Sequence, residues 1–330
     1  MTTTASAELQ TGVTGGAGRP AKPAPVPLTP ELRRERALRR FAASITVFTV
    51  VGHVLLGFEQ SPITPIATVL VGYATALLFE ALDAWATGRT PQYRGGPRAL
   101  VLFLLPSHIA ALACAMLLWG NAALWPYLFA VTVANASKYL VRLTVRGKRR
   151  HVLNPSNSGI VVTLLLFPWV GIAPPYQFTA NTGGAIDWLV PLAILVLGTM
   201  INAKLTGKVP LILGWVVGFA AQAVVRWLLL DHHLVGALLP MTGVAFVLFT
   251  NYMITDPGTT PVGRRNQVAF GVTAAAVYGL LVANEIVFGL FFALVITCVL
   301  RGLVLVGAKF APARVAGSAA PARRSERSPG

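Results

Sequence analysis

The sequence predicts an all-α, polytopic membrane protein with about ten transmembrane helices and both termini in the cytoplasm. Three observations predict this class. Hydrophobic residues make up 55% of the 330 residues and charged residues only 12%, about half the charged share of soluble domains. Apolar stretches of roughly 20 residues, the length that crosses a bilayer core, recur along the chain. Lysine and arginine are concentrated in alternate connections between these stretches.

The chain divides into four regions. Residues 1–28 are polar and rich in Pro, Ala and Thr, which predicts a disordered cytoplasmic tail. Residues 29–40 predict a basic juxtamembrane helix, because Thr29 is a good N-cap and Pro30 suits a first helical turn. Residues 41–307 form the predicted transmembrane helical domain. Residues 308–330 predict a second disordered, basic cytoplasmic tail.

Ten apolar segments are the predicted spans of a bilayer core about 30 Å thick. In chain order they are 41–58, 64–86, 99–120, 122–140, 156–173, 187–202, 209–230, 236–255, 268–284 and 286–307.

The basic residues predict the orientation of these spans. If ten spans alternate in direction, 26 of the 27 lysines and arginines lie on one side, and only Arg226 lies toward the other. By the positive-inside rule that side is cytoplasmic, and the protein is a multi-pass protein of the inner (plasma) membrane whose main partner is the lipid bilayer. The net charge of +16 is dispersed among apolar spans and does not form one continuous stripe, so a nucleic-acid partner is not expected.

Polar side chains at the span ends gather at the predicted cytoplasmic level. Such groups are costly in a membrane unless they pair with one another or with a ligand. They therefore predict a polar chamber or ion path formed by Glu80, Asp83, Asn135, Lys138, Asn202 and Asn251. The alternative is that acids and bases pair at the inner interface without binding anything.

Two motifs at span ends have both a structural and a functional interpretation. In the stretch TDPGTT, Asp256 either caps its own turn or interacts with a positive group such as Lys138, Arg264 or Arg265. In the stretch NPSNSG, Asn154 and Pro155 are typical of a helix start, and such an N-terminus also favours anions.

The remaining reactive residue types predict no metal site. Cys114 and Cys298 lie in apolar segments without a metal-binding spacing. His53 and His108 lie within spans and would form a bis-imidazole haem site only if they faced each other; hydrogen bonds between helices are the alternative.

The stretches NPSNSGIVVTLLLFP and FVLFTNYMITDPGTTPVGRRNQVAFG resemble the NqrB/RnfD family. Its members are the integral membrane subunits of sodium-translocating NADH:quinone oxidoreductases and of Rnf electron-transport complexes. The resemblance covers roughly 95–307, and its loop PPYQFTANTGG is similar to a divergent branch found in enediyne antibiotic biosynthesis clusters. It implies cofactor-binding roles for Asn154, Pro155, Asn157, Gly159, Thr255, Asp256, Pro257, Thr259 and Thr260.

The same resemblance implies a flavin, either FMN or riboflavin. Family members carry FMN esterified to a threonine in a Ser-Gly-Ala-Thr-like sequence of an outward loop. The corresponding loop here, 171–188, lacks that tetrapeptide and offers the hydroxyls of Thr179 and Thr182, so covalent attachment is disfavoured.

The resemblance implies membrane electron transport coupled to ion or solute movement, together with other membrane or soluble redox subunits. The alternatives are a small-molecule permease, efflux or self-resistance protein without redox chemistry, and a membrane scaffold for soluble biosynthetic enzymes. The sequence contains no catalytic triad or phosphate-binding loop, so a redox-carrier subunit is expected rather than a stand-alone enzyme.

Overall fold

The structure, a computed structural model, describes residues 29–145, 147–174 and 177–310. The tail predicted at 1–28 and the segment 311–330 of the second tail lie outside these residues. Within the described residues the fold is almost entirely helical. The α-helices are α1 (Pro30–Val54), α2 (Ile63–Ala86), α3 (Pro97–Leu117), α4 (Trp125–Leu140), α5 (Pro155–Leu166), α6 (Ile186–Ile201), α7 (Val209–Leu230), α8 (Leu234–Leu238), α9 (Val244–Leu248), α10 (Arg264–Ala283) and α11 (Gly289–Phe310).

Short strands and irregular turns connect these helices. The two-residue strands β1 (Leu118–Trp119) and β4 (Gly171–Ile172) pair antiparallel, as do β2 (Arg142–Val145) and β3 (Lys148–His151). Helices α6 and α9 each continue into a π-helical turn, at Asn202–Thr206 and Phe249–Met253 respectively.

Two helix starts have the caps predicted from the sequence. Thr29 accepts a hydrogen bond from the Leu32 amide at 3.3 Å and begins α1, so the juxtamembrane helix and the first span are one continuous helix. Asn154 accepts a hydrogen bond from the Asn157 amide at 3.1 Å and begins α5.

Six helices in the described part of the chain are long and apolar enough to cross a membrane, namely α2, α3, α6 with its π-helical turn, α7, α10 and α11. A seventh crossing is the pair α8 and α9, if it forms one span. Their outward-facing leucine, valine and tryptophan side chains are exposed, as expected for contact with lipid. The chain is therefore a multi-pass helical membrane protein.

Four of the ten predicted spans are not among these six helices, namely 41–58, 122–140, 156–173 and 236–255. The span predicted at 236–255 is broken, because Pro240 and Gly243 interrupt the helix and the two halves meet at 63°. The span predicted at 156–173 contains a helix of only 12 residues, which ends just before Pro168.

Helices α1 and α3 run parallel. Glu35 on α1 pairs with Arg98 at the start of α3, and Thr46 further along α1 contacts His108 further along α3. Helix α2 connects them and therefore runs in the opposite direction.

Helices α2 and α4 are parallel by the same reasoning. Asn135 on α4 binds the Gly72 carbonyl of α2, and Tyr139 one turn later binds Glu80. Strand β4 follows α5 and pairs with β1, which follows α3, so α5 runs in the same direction as α3. The first five helices therefore alternate in direction.

Glycines let α7 and α10 pack closely and in parallel. A Cβ at Gly214 would lie 2.6 Å from the Val268 carbonyl oxygen, and a Cβ at Gly279 would lie 2.9 Å from Oε1 of Gln222. Because α7 and α10 are parallel, the segment between them, which contains α8 and α9, returns from one end of the bundle to the other.

One end of the bundle collects the cationic side chains and is called the basic end. There the hairpin β2–β3 approaches the turn that follows α9, with His151 Nε2 3.8 Å from Asp256 Oδ2. The connections 143–153 and 256–267 thus lie at the same end, as the predicted alternation of spans requires.

Candidate functional site

The turn at 256–261 is organised by the carboxylate of Asp256. One carboxylate oxygen accepts the Gly258 amide at 3.1 Å, and the other accepts the Thr259 hydroxyl at 2.9 Å. The Thr260 hydroxyl donates to the Asp256 carbonyl at 2.6 Å. The turn-capping interpretation of this aspartate is therefore correct, and its ion-pair contact among the described residues is with the ring of His151.

The charge state of Asp256 follows from these contacts. Partial burial acts to raise the pKa of Asp256, but the His151 ring, the Gly258 amide and the Thr259 hydroxyl favour the ionised form more strongly. The pKa of Asp256 therefore lies below its usual range, and the turn has a fixed negative charge.

Asn154 joins the two sequence motifs in space. Its amide nitrogen donates to the Met253 carbonyl at 3.0 Å, while its amide oxygen caps α5 and also accepts the Ser156 hydroxyl at 2.9 Å. The start of α5 and the end of the π-helical turn after α9 are thus held together by one buried side chain.

The neighbours of Asn154 are packed deeper. Asn157 is fully buried and donates to the Phe291 carbonyl at 2.9 Å, whereas its Oδ1 has no partner among the described residues. Gly159 lies against α4, where an added Cβ would be 2.2 Å from the Ala130 carbonyl oxygen. Close helix packing therefore requires glycine at position 159.

Two cations outside the predicted site attach the turn to neighbouring helices. Lys208, which precedes α7, donates to the Pro261 carbonyl at 2.7 Å, and Arg301 of α11 donates to the Thr259 carbonyl at 2.5 Å. Burial lowers the pKa of Lys208 to about 8, although the negative charge of Asp256 acts in the opposite direction. The position of Arg301 inside an apolar helix was the one sequence signal of this role.

Lys138 lies beside the same site and is held by Asn135. The ammonium group donates to Asn135 Oδ1 at 2.9 Å. The Asn135 amide nitrogen in turn lies within 3.0 Å of the Gly72 carbonyl and of the Thr75 and Ser107 hydroxyls. Because three oxygen atoms surround the Asn135 amide nitrogen, the Asn135 amide oxygen faces Lys138. Helices α2, α3 and α4 together therefore fix the position of the Lys138 ammonium group.

Glu80 and Asp83 form an ion-pair network with arginines. Arg89 binds both carboxylates, and Arg142 binds Asp83 at 3.0 Å. Glu80 is fully buried and also accepts the Tyr139 hydroxyl at 3.1 Å. For these two acids, the interpretation as charges paired at the interface describes the structure.

Asn202 and Asn251 bridge the two π-helical turns. Asn202 donates to the Asn251 carbonyl at 2.8 Å, and Thr199 donates to Asn251 Oδ1 at 3.3 Å. The Thr255 hydroxyl also donates to the Asn251 carbonyl at 2.8 Å. Both asparagines are fully buried and fix α6 against α9.

A cavity of about 1890 Å³ opens between these clusters. Typical ligand sites measure about 300–1,000 Å³, so this cavity is large enough for an extended ligand or for two ligands. Of the predicted site residues, its wall includes Asp83, Asn135, Lys138, Asn154, Pro155, Asp256 and Pro257. The others at the basic end are packed behind that wall: Glu80, Asn157, Gly159, Asn202, Asn251, Thr255, Thr259 and Thr260.

The two threonines considered for a covalent flavin lie at the opposite end of the bundle. The Thr182 hydroxyl donates to the carboxylate of Asp187 in the first turn of α6. Asn181 in the same loop donates to the Gly57 carbonyl, beyond the far end of α1. The structure therefore does not bring Thr179 and Thr182 together with the Asn154 and Asp256 motifs.

The two membrane histidines do not face each other. Thr46 donates its hydroxyl proton to the Ala42 carbonyl, so His108 Nε2 donates to Thr46 Oγ1 at 2.8 Å and His108 Nδ1 accepts from the Tyr73 hydroxyl. His53 instead donates to the Thr49 carbonyl of its own helix. His108 is thus a hydrogen-bonded contact among three helices.

These observations define a multi-pass helical membrane protein with a large open cavity and a polar cluster at its basic end. The chain matches no protein-family model, and no curated protein is similar to it at a significant level. The likeness to NqrB/RnfD proteins stays a prediction that rests on the two motifs.

Proposed function

We propose that this chain is a flavin-binding electron-transport subunit of NqrB/RnfD type, within an enediyne or related biosynthetic pathway. In this proposal it crosses the plasma membrane ten times with the basic end in the cytoplasm. The distribution of 26 of 27 basic residues supports that orientation. The alternating directions of α1 to α5 support ten crossings rather than the six or seven that helix length and composition alone give.

One observation carries the proposal. The two motifs that resemble the family are nearly 100 residues apart in the chain, yet Asn154 donates to Met253 and both motifs contribute to the wall of one cavity. That cavity wall combines a fixed carboxylate at Asp256 with the imidazole ring of His151. Such a wall supplies polar contacts for a flavin, and the aromatic rings of Phe249 and Tyr252 supply apolar ones.

Absorbance spectroscopy tests the flavin directly. Protein purified in mild detergent should show a flavin spectrum, and the cofactor should be released by denaturation because attachment is non-covalent. Intact-mass measurement serves as the control. The chain should have the mass of the unmodified sequence, with no FMN added at Thr179 or Thr182. A colourless, flavin-free protein that remains so after incubation with FMN and riboflavin would refute the proposal.

An Asp256→Asn variant tests the role of the site. If the carboxylate contacts the cofactor, the variant should insert into the membrane normally and lose flavin. The matched control is Asp231→Asn, because Asp231 is an exposed residue beyond the far end of α7. Equal flavin content in both variants would limit Asp256 to capping its turn.

A permease is the second candidate, and one observation favours it. The cavity wall extends from His151 at the basic end to Gln177 and Phe178 near the opposite end. A pathway of this length is what alternating access to a solute requires. In a variant with both native cysteines replaced, a cysteine at Ala113 or Ala245 should react with an impermeant maleimide from both membrane faces. Labelling from one face only would exclude this candidate.

A further inference from the structure

The cavity has a long apolar limb that the polar site does not use. Its wall follows α3 from Leu102 to Leu117, a separation of 15 residues or about 22 Å at 1.5 Å per residue. Facing side chains come from α1, including Ile45 and Phe48, and from α9, including Leu248. One leaflet of a bilayer core, about 15 Å thick, is the length of a lipid acyl chain, so the limb is long enough to hold one.

An ammonium group without a direct ion-pair partner lies at the mouth of this limb. The aspartates of the mouth are already engaged, since Asp83 binds two arginines and Asp256 binds His151 and its own turn. Lys138 forms no ion pair within 4 Å among the described residues, and its partner there is the neutral Asn135 amide. The cavity wall thus includes an ammonium group, held in a fixed position, on which the Asp256 carboxylate acts only from beyond 4 Å.

An unpaired charge beside an apolar chamber selects the ligand by charge and shape. A cationic head would be repelled by Lys138, and a neutral head would leave its charge unpaired. The lining residues of α3 form a path for one extended hydrocarbon chain, and Lys138 supplies one head site, so a ligand with one chain and one head fits both. We propose that the cavity binds a single-chain anionic amphiphile, with a carboxylate or phosphate head on Lys138 and its hydrocarbon chain along α3. This binding is independent of the flavin, because the volume of about 1890 Å³ exceeds what one such ligand needs.

Photo-crosslinking in native membranes tests this binding without competing detergent. The probe is a sixteen-carbon fatty acid with a diazirine at mid-chain. The expected result is labelling of α1 and α3 residues that line the limb. Excess palmitate or hexadecyl phosphate should suppress the labelling, and their relative potency distinguishes a carboxylate from a phosphate head. Hexadecanol and hexadecyltrimethylammonium have the same chain without the negative charge and should compete weakly.

Two variants separate the head site from the limb. Lys138→Met should reduce labelling about tenfold or more, as expected for loss of a charged hydrogen bond. Lys204→Met is the matched control, because Lys204 is exposed at the same end and does not line the cavity. Ala113→Trp fills the limb and should abolish labelling even if the lysine variant folds poorly.

The proposal is overturned if labelling is confined to lipid-facing side chains, or if the Lys138 and Lys204 variants label equally. It is also overturned if hexadecyltrimethylammonium competes as well as palmitate. Flavin absorbance, measured on the same samples, reports separately on the electron-transport proposal.

Discussion

Replacement of Gly159 by alanine tests the close packing of α4 and α5. The added Cβ would lie 2.2 Å from the Ala130 carbonyl oxygen, whereas 3.0 Å is the nearest approach that Cβ atoms tolerate. Both atoms belong to rigid parts of the chain, so the helices must separate by about 0.8 Å. Overpacking of this kind costs about 1–3 kcal/mol, and the better helix propensity of alanine returns at most about 1 kcal/mol. Because neither atom can move aside easily, the cost lies at the upper end of this range, and the expected net loss is about 2 kcal/mol.

The assay is unfolding of the purified protein in detergent, followed by circular dichroism with increasing temperature or denaturant. Gly307→Ala is the matched control, because Gly307 lies in α11 with no atom within 4 Å of an added Cβ. This control should be neutral or slightly stabilised. A Gly159→Ala protein as stable as the control would refute the packing argument and return Gly159 to a role in ligand contact.

Three further predictions concern charged groups. Glu80→Gln should lower the free energy of unfolding by about 3 kcal/mol, because it breaks a buried ion pair with Arg89. Glu35→Gln removes an exposed ion pair with Arg98 and should leave the denaturant midpoint unchanged. Because the pKa of Asp256 is lowered by folding, the unfolded chain binds more protons at this residue than the folded chain does. The stability that Asp256 contributes is therefore present above an unfolded pKa of about 3.9 and is lost as the pH falls through the lower folded value. Melting temperatures measured from pH 6 down to 3 should fall more steeply for wild type than for Asp256→Asn, and parallel curves would contradict this. The pKa of Lys208, near 8 when folded and about 10.4 when unfolded, predicts stability that rises between pH 8 and 10 and a smaller rise for Lys208→Met.

The sequence predicted the features that depend on composition and local capping. The caps at Thr29 and Asn154, the concentration of cations at one end and the turn role of Asp256 follow from residue type and position. Pro240 and Gly243 were also visible in the sequence. A count of apolar residues ignores them and therefore predicts the eighth span as one helix.

Other features were beyond a sequence-based prediction for a physical reason. Lys208 and Arg301 bind main-chain carbonyls, and every residue has one, so no partner is marked in the sequence. The asparagines at 202 and 251 likewise bind carbonyls of helices far away in the chain or of their own turns. The predicted convergence of polar groups at one level therefore included residues that stabilise helix contacts without reaching the cavity.

The attachment of the turn through its backbone has a consequence for divergence among relatives. Because the two cations recognise peptide oxygens, the amino acids at 259 and 261 can drift while the attachment persists. Replacing either cation, in contrast, would release one side of the turn. Distant homologues should therefore retain a basic residue at position 208, before α7, and an arginine at position 301, in α11. The amino acids of the turn itself should vary more.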